Sequence, residues 1–201
     1  MIKNSPLSIY IHIPFCIRKC LYCDFLSFPL ENNESAGIEA YIDALIHEIG
    51  ACSFKQGYEI KSVFFGGGTP SSIKEVYITR IMHVLKANWT FTKDAEITIE
   101  TNPGTLDDAK LYAYQSAGIN RLSIGLQSAD NDELRLLGRI HTKEQFETNY
   151  WAARKAGFNN INIDIMSALP GQNIDGLHNT IEYVLSLSPE HISAYSLTIE
   201  E

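Results

Sequence analysis

The feature that most limits the fold of this chain is a regular alternation of short apolar segments with stretches of helical period. Six segments rich in β-branched residues recur, at Ser8 to Ile13, Ser62 to Phe65, Glu96 to Ile99, Arg121 to Leu126, Asn160 to Met166 and His191 to Leu197. Between them, Ile38, Tyr41, Ile42, Leu45, Ile46 and Ile49 mark one helix face, and Ile78, Ile81, Met82 and Leu85 mark another. The boundaries carry matching chemistry. Ser72 with Glu75 and Thr142 with Gln145 predict capping boxes, while Gly118 and Gly157 suit left-handed C-terminal caps. The turn Ala117-Gly118-Ile119-Asn120 is echoed by Ala156-Gly157-Phe158-Asn159. Strand, helix, strand in this order demands parallel pairing through crossovers, and strands covered by helices must be largely apolar, as these are. An open doubly wound sheet and a closed or partial barrel both satisfy the pattern, and in either one ligands gather at the carboxyl ends of the strands. No low-complexity tract or interdomain linker interrupts the 201 residues, which predicts one domain; residues 29 to 37 read as the loop most prone to move.

Charge and cysteine usage narrow the function classes. Sixteen basic against twenty-four acidic residues give a net charge of -8, and no block of Lys or Arg could neutralise a run of phosphates, which excludes nucleic acid as a partner. No apolar run approaches the ~18 residues needed to span a bilayer, and Met1 to Pro14 lacks the pattern of a signal peptide. A cytoplasmic protein without a transmembrane segment is expected. Three of the four cysteines crowd into Cys16 to Cys23, which in a reducing compartment points to metal ligands or catalytic thiols rather than a disulfide framework.

Cys16, Cys20 and Cys23 follow the first predicted strand, and the short loops between them let three thiolates converge on one small metal centre. Two centres suit such a set. A four-iron cubane held by three thiolates leaves one iron open to a small molecule, whereas zinc would take His12 as its fourth ligand. Gly66, Gly67 and Gly68 directly follow the apolar Val63-Phe64-Phe65, and glycines there permit a sharp turn with backbone close to a ligand. No Lys follows, so a nucleotide P-loop is disfavoured. Glu100 ends another strand, where its carboxylate can accept hydrogen bonds from a ligand. Tyr10 and Tyr22 flank the cysteines and suit either core packing or aromatic contact. Cys52 stands apart as a free, partly buried thiol, and none of the six histidines is nominated as a ligand.

The run Tyr10-Ile11-His12-Ile13-Pro14-Phe15-Cys16 through Cys23-Asp24-Phe25 resembles radical S-adenosylmethionine (SAM) proteins of the oxygen-independent coproporphyrinogen III oxidase family, most narrowly its heme chaperone branch. Further blocks fall in the family's order: Gly66-Gly67-Gly68-Thr69-Pro70, Glu100-Thr101-Asn102-Pro103, Ile124-Gly125-Leu126-Gln127-Ser128, and Asn162-Ile163-Asp164 with Leu169-Pro170-Gly171-Gln172. The resemblance covers essentially the whole chain. It implies an α/β fold, a partial six-stranded parallel (βα)6 TIM-like barrel, with residues 1–201 forming the radical SAM core domain and the family's C-terminal domain absent from this chain.

The same resemblance implies a [4Fe-4S] cluster on Cys16, Cys20 and Cys23. Its open iron would bind the amino and carboxylate groups of SAM, and an electron from the reduced cluster would split a sulfur–carbon bond to release a 5′-deoxyadenosyl radical. Gly67, Gly68 and Thr69 would line the methionine end of SAM, with Glu100, Gln127, Arg139 and Asp164 around it and Tyr10 and Tyr22 as aromatic contacts. Coproporphyrinogen oxidases of the family carry a further cysteine two positions after the third, where this chain has Phe25. The implied function is that of a heme chaperone in heme and porphyrin metabolism, with heme as a further ligand and a heme-acceptor protein and an electron donor as partners. The alternative is oxidative decarboxylation of coproporphyrinogen.

Overall fold

The computed structural model describes residues 5–30, 35–52 and 57–198. In chain order the elements are β1 (Ser5–Ile13), β2 (Phe15–Cys16), β3 (Phe28–Pro29), α1 (Ser35–Ala51), β4 (Tyr58–Gly67), α2 (Glu75–Asn88), β5 (Phe91–Thr101), α3 (Asp108–Ala117), β6 (Arg121–Gln127), α4 (Asn131–Leu136), α5 (Lys143–Lys155), β7 (Ile161–Ser167), α6 (Ile174–Ser186) and β8 (His191–Ser196). Part of the expected loop at 29 to 37 is ordered otherwise. Pro29 belongs to β3 and α1 already begins at Ser35, while residues 31–34 lie outside the described residues.

The main sheet has six strands in the order β1-β4-β5-β6-β7-β8, and every neighbouring pair is parallel. That order runs with the sequence and never reverses, so the doubly wound alternative, which needs a switch point, is excluded. The sheet curls into a half-barrel with the helices outside. Ile11, Ile13, Val63, Phe65, Ile97, Ile99, Leu122, Ile124, Ile161 and Ile163 face the helices and form one core with Ile42, Ile78, Ile81, Leu111, Tyr114, Phe146 and Tyr150. Side chains alternate across a strand, so the intervening residues line the concave face. Many are polar: Ser62 donates to Ser8 at 2.8 Å, Arg121 stands 3.9 Å from Glu96, and Asn162 donates to Ser123 at 2.9 Å. β8 closes the order as an edge strand, with Ile192 and Tyr195 exposed.

The caps sort into local and non-local cases. Thr142 and Gln145 form the expected reciprocal box, at 3.3 and 3.0 Å. Gly118 and Gly157 are left-handed, with φ of 94° and 97°, and the N–H after each returns to the helix five positions back, Ile119 to Tyr114 and Phe158 to Ala153. The echoed turns are thus one motif used twice. The Ser72–Glu75 box is not formed. Ser72 ends a short 3-10 turn and donates to the Phe15 carbonyl at 3.1 Å, so its hydroxyl is spent on the cysteine-bearing strand and Lys74 begins α2 without a side-chain cap.

Asn120 departs from its echo Asn159. Its amide accepts from the Ile97 N–H and donates to the Ala95 carbonyl, both at 2.8 Å, tying the α3 turn to β5. Asn120→Ala should cost about 1–3 kcal/mol through these unpaired backbone groups, whereas Asn159→Ala, at an exposed position, should stay within about 0.5 kcal/mol. Urea unfolding followed by circular dichroism measures both.

Candidate functional site

The cysteine loop is built as a bridge between β2 and β3, which pair in parallel, so the chain leaves after Cys16 and crosses back to re-enter beside Phe15 at Phe28. Phe28 N–H donates to Pro14 and Leu30 N–H to Cys16, at 2.8 and 2.7 Å, while Cys23 N–H turns back to Cys20 at 3.3 Å. The far side of the loop rests on the end of α4, where Leu21 N–H donates to Leu137 at 3.1 Å. Gly138, at φ 72°, makes that approach possible, because a Cβ there would sit 2.8 Å from Leu21 Cγ.

The glycine run does the same on the near side. Gly68 N–H donates to Ile13 and Thr69 N–H to Phe15, at 2.8 and 2.7 Å. A Cβ on Gly68 would lie 2.6 Å from the Phe15 oxygen and 3.0 Å from Cys16 Sγ, so no other residue brings this strand end so close to the first cysteine. Gly67, at φ 114°, turns past the His12 ring with equally little room.

Side chains reach the sulfurs from two directions. Thr69 Oγ1 donates to Cys16 Sγ at 3.6 Å and Arg139 Nη1 to Cys20 Sγ at 3.5 Å. Arg139 Nη2 also donates to the Gly125 carbonyl at 2.5 Å and to Asn102 Oδ1 at 2.9 Å, and Asn102 Nδ2 donates to Thr69 Oγ1 at 2.8 Å. Burial raises the Cys23 thiol, and the crowding of Cys20 and Cys16 adds to it against the Phe25 N–H and the Lys19 ammonium. Burial also drives the Tyr22 phenol far above its ordinary range; the adjacent Arg139 opposes this and the Cys20 and Cys23 thiols add to it.

Across the cavity stand two carboxylates. Asp164 accepts from Tyr195 at 2.8 Å, from Asn162 at 2.7 Å and from Ser123 at 3.2 Å. Burial raises it, and those hydrogen bonds pull the other way. Glu100 is pushed from 4.5 to about 7, first by burial and then by the Asp164 charge, with the Gly67 N–H opposing.

Cys16, Cys20, Tyr22, Cys23, Gly67, Gly68, Thr69, Glu100, Gln127, Arg139 and Asp164 all line one cavity of about 520 Å³ at the carboxyl ends of the strands. Tyr10 alone among the residues expected to hold the cluster or SAM does not line it. It lies lower on the concave face, stacked on Phe64 with ring centroids 6.2 Å apart. Sequence reasoning passed over Asn102, although it stands in a quoted block, and over Ser123 and Tyr195, whose strand spacing alone gave no sign that they would meet Asp164. His12 offers no free nitrogen: Nε2 pairs with the Leu26 carbonyl at 2.9 Å, which leaves Nδ1 to accept from Tyr10 at 3.2 Å. The three-cysteine, one-histidine zinc set is therefore not assembled, and among the described residues no three His, Cys, Asp or Glu side chains gather tightly enough for a single ion.

The profile described as the radical SAM superfamily matches residues 10–184. The chain belongs to that superfamily. The heme chaperone HemW of Escherichia coli (strain K12) is 38% identical over 201 residues, 100% of this chain and 53% of that protein. The heme chaperone HemW of Bacillus subtilis (strain 168) is 39% identical over 195 residues, 96% of this chain and 51% of that protein. The chain thus spans about half the length of the curated relatives it matches. Among solved structures, the coproporphyrinogen III oxidase HemN of Escherichia coli, described as a radical SAM enzyme, superposes with a TM-score of 0.88 at 33% identity, over 97% of this chain and 45% of that one.

The superfamily implies an iron-sulfur cluster and SAM, and the residues present fit both. Three free thiols line the same cavity as a guanidinium whose acceptors among the described residues are a thiol, an amide and a carbonyl, none of them a carboxylate. Arg139 Nε and Gln127 Oε1 are buried without a hydrogen-bond partner, a cost that a polar ligand would relieve. Gln127 reaches its place through a strained left-handed φ of 71°, a conformation kept where surroundings over-determine it. Among the described residues no helix is long and apolar enough to cross a membrane.

Glu100 ties the ligand-free site to pH. Its folded carboxyl binds a proton more tightly than the unfolded one, so its contribution to stability is complete below pH 4.5 and is lost as pH rises through about 7. In the chain without ligand, the thermal midpoint should therefore decline across that window. Glu100→Gln should flatten the decline, as read by circular dichroism melts at a series of pH values.

Proposed function

We propose that this chain is the [4Fe-4S]- and SAM-binding core of a heme chaperone. The observation that carries the reading is the gathering of three thiols, a glycine cradle, an unneutralised guanidinium and two carboxylates around one cavity. Cys16, Cys20 and Cys23 hold the cluster and leave one iron free. When bound, the cluster supplies the electron for reductive chemistry on SAM. The chain's own residues do the rest. Arg139 meets the SAM carboxylate with its free Nε edge, Glu100 and Asp164 attract the ammonium or ribose hydroxyls, and Gly67 to Thr69 let backbone approach the methionine. Tyr22 covers the cluster side and limits water. Tyr10 contributes from below, on the concave face, where it stacks on Phe64.

Heme binding and transfer to an acceptor are the finer part of this reading, supported by the names of the HemW relatives. An electron donor is a further partner, and a cytoplasmic location agrees with four unpaired cysteines. The likeness to HemN favours a second reading, oxidative decarboxylation of coproporphyrinogen. Phe25 counts against it, since an exposed phenylalanine lines the cavity where coproporphyrinogen oxidases of the family carry a cysteine.

Anaerobic reconstitution should yield a reducible cubane whose electron paramagnetic resonance signal changes when SAM is added. Cys16→Ala, Cys20→Ala or Cys23→Ala should each abolish it. Gly68→Ala should lower iron and sulfide content through the clash with Phe15 and Cys16 while helical content persists. Uptake of one zinc ion, or a cube with four protein thiolates, would sink the proposal.

The two functional readings part on their product. Incubated with heme, the protein should show a stable Soret band and pass heme to an apo-acceptor. Formation of protoporphyrinogen from coproporphyrinogen would instead favour the enzyme.

A further inference from the structure

Asn102 is absent from the site residues read from sequence, yet it joins Thr69 and Arg139, the side-chain donors to two cysteines. Arg139 can only donate, so the amide oxygen of Asn102 must face it and the amide nitrogen must face Thr69. That sense is not free to reverse. Thr69 Oγ1, accepting from Asn102 Nδ2 at 2.8 Å, keeps its own proton for Cys16 Sγ at 3.6 Å. Arg139, accepted by Asn102 Oδ1 at 2.9 Å, keeps Nη1 for Cys20 Sγ at 3.5 Å. One amide therefore points two protons at two sulfurs.

The backbone of Asn102 is held from behind. Its N–H donates to Ser71 Oγ at 3.3 Å, and Thr105 Oγ1 donates to its carbonyl at 2.6 Å. Because the Thr105 proton is spent there, the 2.5 Å contact between the hydroxyls must run from Ser71 to Thr105. The ring closes on itself, with Ser71 fully buried and Thr105 nearly so. Lys110 Nζ locks it by donating to the Ser71 and Thr105 carbonyls at 2.6 and 3.0 Å. Nothing in the fold of β5 requires a ring of this kind.

We propose that Asn102 is a positioning residue that sets the direction of the Thr69 hydrogen bond to Cys16, braces the Arg139 donor against Cys20 and so raises the reduction potential of the cluster these cysteines hold. The proposal rests on the reading of the cysteines as cluster ligands. Hydrogen bonds to cluster sulfurs stabilise the reduced, more negative state. Asn102→Asp keeps the shape but accepts from both neighbours, which turns the Thr69 hydroxyl away from Cys16 and offsets the Arg139 charge.

The test is potentiometry, monitored by electron paramagnetic resonance, on the reconstituted chain without SAM. Asn102→Asp should move the midpoint to a more negative value. Thr69→Val, which removes the Cys16 donor together with the acceptor of Asn102 Nδ2 but leaves the Arg139 contact to Cys20, should move it the same way by less. The double variant should shift by less than the sum of the two, because part of the Asn102 effect passes through Thr69. Additive shifts, or a midpoint unmoved in Thr69→Val even if Asn102→Asp takes up no cluster, would overturn the assignment. A wild-type chain that forms no cubane is a different result and overturns the reading on which the assignment rests.

Discussion

The structure depends on a one-sided arrangement: parallel strands laid down in sequence order, each followed by a crossover of the same hand. Right-handed crossovers in unbroken order put every helix on one face of the sheet, and the apolar half of each strand must follow them there. The strands then curl, their other half is released from the core, and all the carboxyl ends meet on one rim. The strand order β1-β4-β5-β6-β7-β8 is the direct record of that constraint. Sequence-distant residues share one cavity because Gly68, Glu100 and Gln127 stand at or next to strand ends on the same rim, while Asp164 reaches it from the middle of β7 rather than from its end.

The second constraint is steric. The cysteine loop has little secondary structure of its own, only the two-residue pairing of β2 with β3. It is held in place by close backbone approach at two glycines, Gly68 against Phe15 and Cys16, and Gly138 against Leu21. Ser72 gives up helix capping to bind Phe15 and so adds a third point of attachment. A loop so fixed keeps three thiols on the wall of one cavity, which reduces the ordering cost that binding must offset.

The concave face then carries polar groups that are satisfied mainly by one another. Asn162, Ser123, Ser193 and Tyr195 surround Asp164 with donors and acceptors drawn from three strands. Asn160 Oδ1, at the end of β7 away from the rim, is one exception; two others stand at the rim, where Gln127 Oε1 and Arg139 Nε lack partners. Buried polar atoms are rarely left in this state. Their position beside the thiols is what distinguishes this rim from an ordinary strand end, and the superfamily match over residues 10–184 agrees with it.

Much of this was legible in the sequence because it is written in short-range spacing. Strand and helix periodicity, the glycine caps after α3 and α5, and the Thr142 box all depend on residues within one turn of each other, and the cysteine triplet depends on one short loop. Strand order was not legible, since a doubly wound sheet and a half-barrel share the same alternation and differ only in where each crossover lands. The partners of Ser72, the placing of Tyr10 below the cavity, and the convergence of Asn102 on Thr69 and Arg139 were likewise decided by tertiary structure. Each joins side chains far apart along the chain, and such a hydrogen bond acquires its partner only when the curled sheet brings the strand ends onto a common rim.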